Sequence, residues 1–493
     1  MAEKNAVTEE DAGPIGKKDK DVGLPSEAYK TMRGHWDLID VLDGGTLAMR
    51  EGGENWLPRE TKETADAYDT RLSRSVLFNG YRDTARKISA RPFSRPITLS
   101  GHDNLPDQLA VIETDVDGEG TNLTQLGREL FRDALNRGIV HMIVDYPKQS
   151  GNETKEDEAL SGARPKFIPI SASNVIGWKY KTSNGNTHLT QVRIMETSEE
   201  DAGPYGTVSV TRIRVWTETT WELWIPVEDH QDEWLLEDFG EHTFGAVPMV
   251  TAYFERTGFM TAVPPMEDLA WINLAHWQSS SDQRNILRFA RTGLWFVKGI
   301  NRKDFDKSGG LKLGPNQHFL APSPEADVKV VEHSGNAIKM GAEDLRALEE
   351  KMELMGMQPF VRLAGYQTAT GTAISEGRNQ TEVQAWVRAI EQMLRVAYTY
   401  AARWIDQEEA VSELSVDLYS DFGIGPRVSA DVEALIKARI AREIDRETFL
   451  RELKKRGVIS EDSEVATIIE NLDAEGPALS EMGGSSFGGG AGE

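Results

Sequence analysis

The chain alternates between segments in which apolar residues recur every three or four positions and segments in which they recur at every second position. The first spacing is typical of helices that bury one side, and the second of half-buried strands. The helical spacing is most extensive between Pro264 and Ile405. It is interrupted there by a Gly/Pro-punctuated stretch from Gly293 to about Gly335 and by a Gly/Thr-rich loop from Gly365 to Gly377. We therefore predict the order helix, short strands, helix, loop and long helix.

The first half of the chain mixes helices with strands. Helical spacing is present between Tyr68 and Ile88 and between Leu126 and Leu135, and Gly138 is the expected C-cap of the second helix. A nearly continuous apolar strand follows at residues 139–144. From Lys166 to Phe254 apolar and polar residues alternate, which predicts antiparallel hairpins. The predicted fold class is therefore α+β.

The two ends of the chain have weaker patterns. Residues 1–25 are charged and contain Gly and Pro, so we expect disorder there, followed by a short helix from Trp36 that ends at Gly44-Gly45. Near the other end we predict a strand at 414–419 and then helices, the first of them capped by Ser429. The Gly/Ser-rich residues at the end of the chain are expected to be disordered.

Composition narrows the possible classes of protein. A chain of 493 residues exceeds the roughly 250–300 residues at which a single core stops growing, so several subdomains are expected. The chain has no cysteine, which excludes disulfides and thiolate metal sites. With 55 Lys and Arg against 80 Asp and Glu, the formal net charge is −25. A protein that grips DNA phosphates usually carries a basic patch, so tight phosphate binding by the whole chain is not expected.

The common enzyme motifs are absent from the sequence. There is no phosphate-binding loop, since Gly13-Pro14-Ile15-Gly16-Lys17 has neither the spacing nor the hydroxyl residue. There is no His-Glu-x-x-His zinc motif and no Gly-x-Ser-x-Gly elbow. Asp115-Val116-Asp117-Gly118 could begin a calcium loop, but it lacks the remaining ligands and is better explained as a turn before a helix. We predict no enzyme activity, no cofactor and no metal.

Four aromatic or imidazole side chains are candidate functional groups: His141, Trp271, His276 and Trp277. His141 lies within the apolar strand, and His276 within the first long helix, so packed structural histidines are expected at both positions. Trp271 and Trp277 are six residues apart and need not share a helix face. They are expected to pack against a neighbouring helix or subunit rather than to stack on bases.

Three local motifs have a recognisable order. The first is Trp56-Leu57-Pro58-Arg59-Glu60 followed by Tyr68-Asp69-Thr70-Arg71-Leu72. The second runs from Asp115-Val116-Asp117-Gly118 through a helix to Asp145-Tyr146-Pro147. The third begins at Pro264-Pro265 and continues through Asp268-Leu269-Ala270 and Asn273-Leu274-Ala275-His276 to Asp282. Together with the order of segments up to about residue 470, these motifs resemble the portal proteins of tailed bacteriophages.

This resemblance implies a ring-forming portal fold with a mixed α/β wing, long stem helices, a small α/β clip and a helical crown. The expected divisions are an N-terminal arm at 1–25, wing at 26–263, stem helix at 264–292, clip at 293–338, second stem helix at 339–357, tunnel loop region at 358–378, long wing helix and strand at 379–428, crown at 429–472 and tail at 473–493.

The resemblance also implies where DNA and partner proteins are contacted. The expected tunnel-loop residues are Gln367, Thr368, Thr370, Gly371 and Thr372, flanked by Arg362 and Arg378. The candidates for a basic ring along the stem are Arg284, Arg288, Arg291 and Lys351. The first three share one helix side, which could equally meet acidic residues of a neighbouring subunit. The clip residues expected to contact the motor or adaptor proteins are Lys298, Asn301, Arg302, Lys303, Asp304, Asp306 and Lys307. Two plainer explanations stay open here, an ordinary solvated hairpin for the clip charges and a helix–helix linker for the loop.

The partners implied by the resemblance are those of a portal vertex. They are eleven further copies in a dodecameric ring, double-stranded DNA in the channel, the terminase large subunit, the major capsid protein and head-completion or adaptor proteins, with no membrane. The location implied is the capsid portal vertex of the virion, after synthesis in the cytoplasm of a bacterial host. Twelve copies of a −25 chain would carry −300 formal charges, which gives DNA a wall that does not bind it. The alternatives are another head–tail connector, a minor capsid protein, or a nucleic-acid-processing enzyme of the head module.

Overall fold

A computed structural model describes residues 15–101, 105–147, 163–227, 230–292, 294–299, 301–303, 325, 327–331, 335–357, 381–420, 435–441, 443–455, 459 and 465–474. The protein is a mixture of helices and sheets, which confirms the predicted α+β class. The chain divides into two compact units, Met1–Leu418 and Tyr419–Glu493. The predicted tunnel loop, the first fourteen residues and the Gly-rich tail lie outside the described residues.

The first ordered elements begin earlier than predicted. Strand β1 (Lys18–Asp19) is followed by helix α1 (Glu27–Glu51), whose N-cap Ser26 accepts a hydrogen bond from the N–H of Tyr29. Disorder was therefore the wrong prediction for residues 15–25, because β1 pairs with a later strand. The predicted helix end at Gly44-Gly45 was also wrong. Gly45 takes a φ of 79°, which kinks α1 without ending it, because glycine has no Cβ to oppose that conformation.

Four more helices and one short strand follow within the first unit. Their bounds are α2 (Ala65–Arg74), α3 (Gly80–Ala90), β2 (Thr98–Ser100), α4 (Asp107–Ala110) and α5 (Leu123–Arg137). Helix α5 begins with a capping box between Asn122 and Gln125 and ends at Gly138 in the left-handed conformation, which confirms the predicted C-cap. The predicted helix between Tyr68 and Ile88 is instead two helices, separated at residues 75–79.

A three-stranded antiparallel sheet lies at the centre of the first unit. Strand β3 (Ile139–Asp145) is between β4 (Lys166–Ile170) and a later strand, β10 (Met249–Tyr253). His141 on β3 is 2% exposed, and its Nδ1 lies 2.9 Å from the hydroxyl of Thr251 on β10. The prediction of a packed structural histidine is thus confirmed.

A second, six-stranded antiparallel sheet follows β4, as the alternation between Lys166 and Phe254 predicted. Its order is β1-β9-β8-β7-β6-β5, so five strands form consecutive hairpins and β1 adds to the edge at β9. The five strands are β5 (Val175–Ser183), β6 (Asn186–Asp201), β7 (Thr207–Thr217), β8 (Thr220–Val227) and β9 (His230–Glu241). A small ribbon of β11 (Arg256–Gly258) and β12 (Thr261–Ala262) ends this region.

One long antiparallel hairpin comes next. It consists of α6 (Glu267–Thr292), β13 (Leu294–Lys298), β14 (Asp327–Val331) and α7 (Gly335–Met357). The strands pair from Leu294 with Val331 to Lys298 with Asp327. The order of helix, strands and helix agrees with the sequence pattern. The second helix begins four residues before the predicted boundary at 339, since residues 335–338 are already helical.

Helix α8 (Glu382–Trp404) is the most regular amphipathic element of the chain. Thr381 and Gln384 form its capping box, and ten of its residues are buried. Trp386 stacks on Phe254 with 5.3 Å between ring centroids, and the indole N–H of Trp404 donates to the carbonyl of Val144 at 2.8 Å. The apolar stripe predicted from the sequence therefore packs α8 on the central sheet. Strand β15 (Ser415–Asp417), shorter than predicted, pairs with β2.

The described residues of the second unit are mainly helical. Residues 435–440 are helical, and α9 (Arg446–Lys455) and α10 (Val465–Ala474) follow. The predicted cap Ser429 lies outside the described residues. Among the described residues of both units, no helix is long and apolar enough to cross a membrane.

Candidate functional site

The candidate site is the hairpin of α6, β13, β14 and α7, because it carries all the predicted stem and clip residues that the structure describes. Its root is fixed by a buried amide. Asn273 of α6 is fully buried, its Oδ1 accepts from the N–H of Tyr81 at 2.8 Å, and its Nδ2 donates to the carbonyl of Phe78 at 2.8 Å. The amide therefore satisfies two backbone groups at the start of α3, which would cost free energy if they were buried without partners.

A buried ion pair lies beside this contact. Arg71 of α2 donates to Glu63 through two hydrogen bonds of 2.9 and 2.8 Å and to the carbonyl of Pro58 at 2.9 Å. Its side chain is 5% exposed, and that of Glu63 is 10% exposed. The hydrogen bonds from Arg71 lower the pKa of Glu63, so the carboxylate stays charged. The pair thus organises the residues of the first sequence motif.

The first and third sequence motifs meet at this point. The hydroxyl of Ser75 donates to that of Ser281 on α6 at 2.9 Å, and the guanidinium of Arg71 reaches Asp282 at 3.7 Å. The side chain of Gln278 donates to the carbonyl of Trp56 at 3.0 Å. Motifs more than 200 residues apart in sequence are therefore parts of one polar contact that holds the hairpin to the first unit's helices.

The two long helices are held to each other by side chains at successive levels. Gln283 donates to the carbonyl of Ile338 at 2.8 Å, Ser279 donates to Asp344 at 2.8 Å, and Nε2 of His276 lies 3.2 Å from Glu349. Gly341 leaves room for Gln283, whose Oε1 would be 2.2 Å from a Cβ at that position. His276 is 3% exposed, so the expectation that it is a packed residue is confirmed, with the addition of a carboxylate partner.

The stem arginines lie on a face of α6 that is buried before them and exposed at their positions. Along α6 the buried positions Ala270, Leu274, Trp277 and Ser281 recur at spacings of four and three. The same spacing continues with Arg284, Arg288 and Arg291, which are exposed and share one side, as predicted. Lys351 is exposed on α7. A channel role for these four residues stays a prediction.

The clip residues are described in part. Lys298 lies 3.5 Å from Asp327 across the β13–β14 ribbon, and the side chain of Asn301 accepts from the N–H of Lys303 at 3.0 Å. Arg302 is exposed. The remaining predicted clip and tunnel-loop positions lie outside the described residues: Asp304, Asp306, Lys307, Arg362, Gln367, Thr368, Thr370, Gly371, Thr372 and Arg378.

A charge separation along the hairpin was missed in the sequence reasoning. Residues 283–303 contain six Lys and Arg and no Asp or Glu, whereas residues 325–350 contain seven Asp and Glu against three Lys and Arg. The formal net charge is therefore +6 over residues 283–303, which we call the outgoing arm, and −4 over residues 325–350, which we call the returning arm. A count of charges over each predicted helix and strand, rather than over the whole chain, would have found it.

The exposed apolar residues of the hairpin were also missed. Trp271 is 51% exposed while Trp277 is fully buried, so only Trp277 packs as expected within the chain. Met340 and Leu354 on α7 are 69% and 66% exposed. Large apolar side chains at such exposure on one element indicate a surface that another molecule can cover.

The alternative metal site is not supported by its geometry. Asp115 accepts from the N–H groups of Gly118 and Gly120 and pairs with Arg164 at 2.8 Å, which together lower its pKa to about 2. These bonds form a turn before α5, in agreement with the sequence pattern. Across the described ranges, no group of three or more His, Asp or Glu side chains is placed to hold a metal ion.

Comparison with protein families gives one match. The family described as "Domain of unknown function (DUF4055)" matches residues 265–405, which is the segment from the start of α6 to the end of α8. No curated protein matches the chain. The hairpin and α8 are therefore the part of the chain with a recognised counterpart in other proteins, and its description carries no function.

Comparison with solved structures gives gene transfer agent (GTA) particles. A structure of the virion of the native particle matches with a TM-score of 0.39 and 12% identity, covering 84% of this chain and 93% of the other. The neck of the native particle, computed with C12 symmetry, matches with the same TM-score and identity over 83% and 98%. The neck of the empty particle, computed with C6 symmetry, gives 0.39 and 11% over 76% and 89%. At this TM-score the likeness carries no functional argument.

Proposed function

We propose that this chain is a portal protein, which forms a dodecameric ring at one capsid vertex of a tailed-phage-like virion. Double-stranded DNA is packaged through the ring by the terminase motor and later leaves through it to the tail. The observation that carries the proposal is the single antiparallel hairpin of two long helices, closed by a β-ribbon and followed by the buried helix α8. At 26 and 23 residues, the helices are about 39 and 35 Å long, enough to form a channel wall.

The anchoring of the hairpin supports this role. A channel wall must keep its direction while DNA moves past it, so its root has to be stiff. The Asn273 amide fixes α6 to the start of α3, and the Ser75–Ser281 contact fixes it to the end of α2, both through buried hydrogen bonds. Such buried, fully directed contacts specify one arrangement more strongly than an apolar contact of the same size.

The charge of the chain is consistent with transport rather than tight binding. A net charge of −25 per copy repels phosphate, and DNA binding through counterion release needs clustered cations. The exception is the arm 283–303, whose exposed arginines can meet either DNA or acidic protein. In this proposal the tunnel loop with Gln367 to Thr372 faces the DNA. The clip contacts the terminase large subunit and later the adaptor proteins, and the outer part of the ring contacts the major capsid protein.

Negative-stain electron microscopy of the purified full-length chain tests the proposal. The expected result is a ring with a central hole wide enough for a DNA duplex. Assays for nuclease and hydrolase activity on the same preparation provide the comparison. A monomeric particle that cleaves nucleic acid or peptide bonds would contradict the proposal, because it would place the chemistry in the chain itself.

A further inference from the structure

Helix α7 presents a regular stripe that nothing in the described chain covers. Its positions recur at spacings of four and three, and all are exposed. The stripe consists of Asn336, Met340, Glu343, Ala347, Glu350, Leu354 and Met357. Met340, Ala347 and Leu354 are seven residues apart, with Glu343 and Glu350 between them. An apolar seven-residue repeat is the pattern by which one helix packs along another.

Helix α6 carries a matching stripe. One face of α6 is buried up to Ser281 against other helices of the first unit. The same face continues with Arg284, Arg288 and Arg291, which are exposed. Long arginine side chains cover apolar surface with their methylene groups while the guanidinium reaches a carboxylate. This basic stripe therefore suits the acidic and apolar stripe of α7 in both chemistry and spacing.

The two stripes cannot meet within one copy. At 100° per residue, the arginine stripe lies about 110° around α6 from the residues that contact α7. The α7 stripe lies about 160° around that helix from the residues that contact α6. Because the helices are antiparallel, the two stripes point about 130° apart. Because the stripes point apart, a two-fold contact centred on one stripe would place that stripe against itself, whereas a head-to-tail contact places one stripe against the other.

The charges of the two arms favour the head-to-tail arrangement. The outgoing arm 283–303 is at +6 and the returning arm 325–350 is at −4. Two arginine stripes, or two α7 stripes, would place like charges opposite each other and repel. An arginine stripe and an α7 stripe carry opposite charges and attract. A row of hairpins in which each outgoing arm meets the next returning arm alternates in sign throughout.

We propose that the arginine stripe of α6 docks on the α7 stripe of a second copy of this chain, so that the hairpins form a continuous head-to-tail wall. The contact stands apart from DNA transport, and its closure into a ring rests on the proposed function. Arg284 and Glu343 are the expected pair. Arg284 follows Gln283, which reaches Gly341, and Glu343 is two residues beyond Gly341. The two residues thus differ in level by about three residues, roughly 4.5 Å, within the reach of an arginine.

Because the chain has no cysteine, single cysteines can test this contact directly. The full-length variants Arg284→Cys and Glu343→Cys are purified separately, mixed and treated with a short bismaleimide. We expect a cross-linked pair of twice the chain mass in the mixture and little in either variant alone. Lys179→Cys, on the exposed side of β5, replaces Arg284→Cys in the control mixture and should not cross-link.

Two results would overturn the contact. One is the absence of a cross-link in the mixture of Arg284→Cys and Glu343→Cys under conditions where the chain associates. The other is a cross-link of Arg284→Cys with itself at equal yield, which would show a two-fold contact. A cross-link without a closed ring in the microscope would support the contact and contradict the portal function. A closed ring without the cross-link would support the portal function and contradict the contact.

Charge reversal gives a second measurement. We expect R284E/R288E/R291E to weaken association by at least about tenfold, since several opposite-charge contacts become repulsive together. Adding E343R/E350R to that triple variant should restore association. The control K20E/K179E/K181E changes the net charge equally on the six-stranded sheet side and should associate like the unaltered chain. An equal loss in the control, with melting temperatures unchanged, would contradict the specific pairing.

Discussion

Asn273 and Tyr81 are both fully buried, and the side-chain carbonyl of Asn273 accepts a hydrogen bond from the backbone N–H of Tyr81 at 2.8 Å. The contact joins the long helix α6 to the first residues of α3, across 192 positions of sequence. It places the root of the hairpin in the core of the first unit. The direction of the whole hairpin is thus determined by buried polar groups.

The first prediction concerns this amide. Asn273→Ala leaves the N–H of Tyr81 buried without a partner, while the carbonyl of Phe78 keeps only the N–H of Gly80 at 3.2 Å. We expect a loss of about 1–3 kcal/mol in the free energy of unfolding, measured by denaturant titration. Asn55→Ala, at an exposed position, is the control and should change stability by less than about 0.5 kcal/mol. Equal effects at the two positions would show that the amide does not anchor the hairpin.

The second prediction concerns the Arg71–Glu63 pair. Arg71→Met leaves a buried carboxylate without its cation, and we expect a loss of about 3–5 kcal/mol. Replacing both partners, as R71M/E63L, should recover most of that loss, because no uncompensated charge is left. Arg59→Met removes an exposed pair with Glu54 at 3.7 Å and should have little effect. A double variant as unstable as Arg71→Met would mean that geometry, not charge, determines the cost.

The third prediction concerns pH. Burial lowers the pKa of His141 to about 3, from an ordinary value of 6.5. The unfolded chain therefore takes up a proton below pH 6.5 that the folded chain does not, so stability is fully present above pH 6.5 and falls as pH is lowered. Between pH 7 and pH 5 the loss should be about 2 kcal/mol.

The measurement is the free energy of unfolding of the unaltered chain and of His141→Gln at pH 7 and pH 5. The glutamine can still bond the hydroxyl of Thr251 but does not titrate. We expect the pH-dependent loss to be smaller by about 2 kcal/mol in His141→Gln, whatever its stability at pH 7. His188→Gln, at an exposed position, should keep the loss. An unchanged pH dependence in His141→Gln would contradict a neutral buried histidine.

Much of the fold could be predicted because local patterns agree with packing. The stripe from Val383 to Ile405 predicted α8, since a single face of that helix meets the sheet. Gly138 predicted the end of α5 because the left-handed cap favours glycine. The alternating segment 166–254 predicted antiparallel strands for a similar reason, as in β7, where Ile213 and Val215 are buried on either side of the half-buried Arg214.

The remaining errors have physical causes. Gly44-Gly45 indicated a helix end, but packing of α1 on both sides of the kink keeps the segment helical. Lys18–Asp19 has no apolar pattern, because it is held to β9 by backbone pairing with Trp234 and Leu235 and by the ion pair of Lys18 with Glu233 at 3.3 Å. The polar positions Arg71, Asn273 and Ser281 resemble surface residues in the sequence. They are buried because segments that are distant in sequence pack together, and a local sequence pattern does not show such contacts.

The fourth prediction concerns the proposed tunnel loop. Deletion of Gln367–Ala373 removes small polar residues from a segment between α7 and α8 and should leave ring assembly unchanged. In particles that carry the deletion, we expect less packaged and retained DNA, measured as nuclease-protected DNA per particle. Particles with the unaltered chain are the control. Equal DNA content would show that this segment does not line the channel.

The mass of the full-length chain in solution tests the central claim most directly. Light scattering after size exclusion, or native mass spectrometry, should give twelve times 54.8 kDa, about 660 kDa, with no growth to larger species as concentration increases. A closed ring of hairpins predicts this single mass. A monomer at 54.8 kDa, a dimer, or a continuous series of masses would contradict a closed channel.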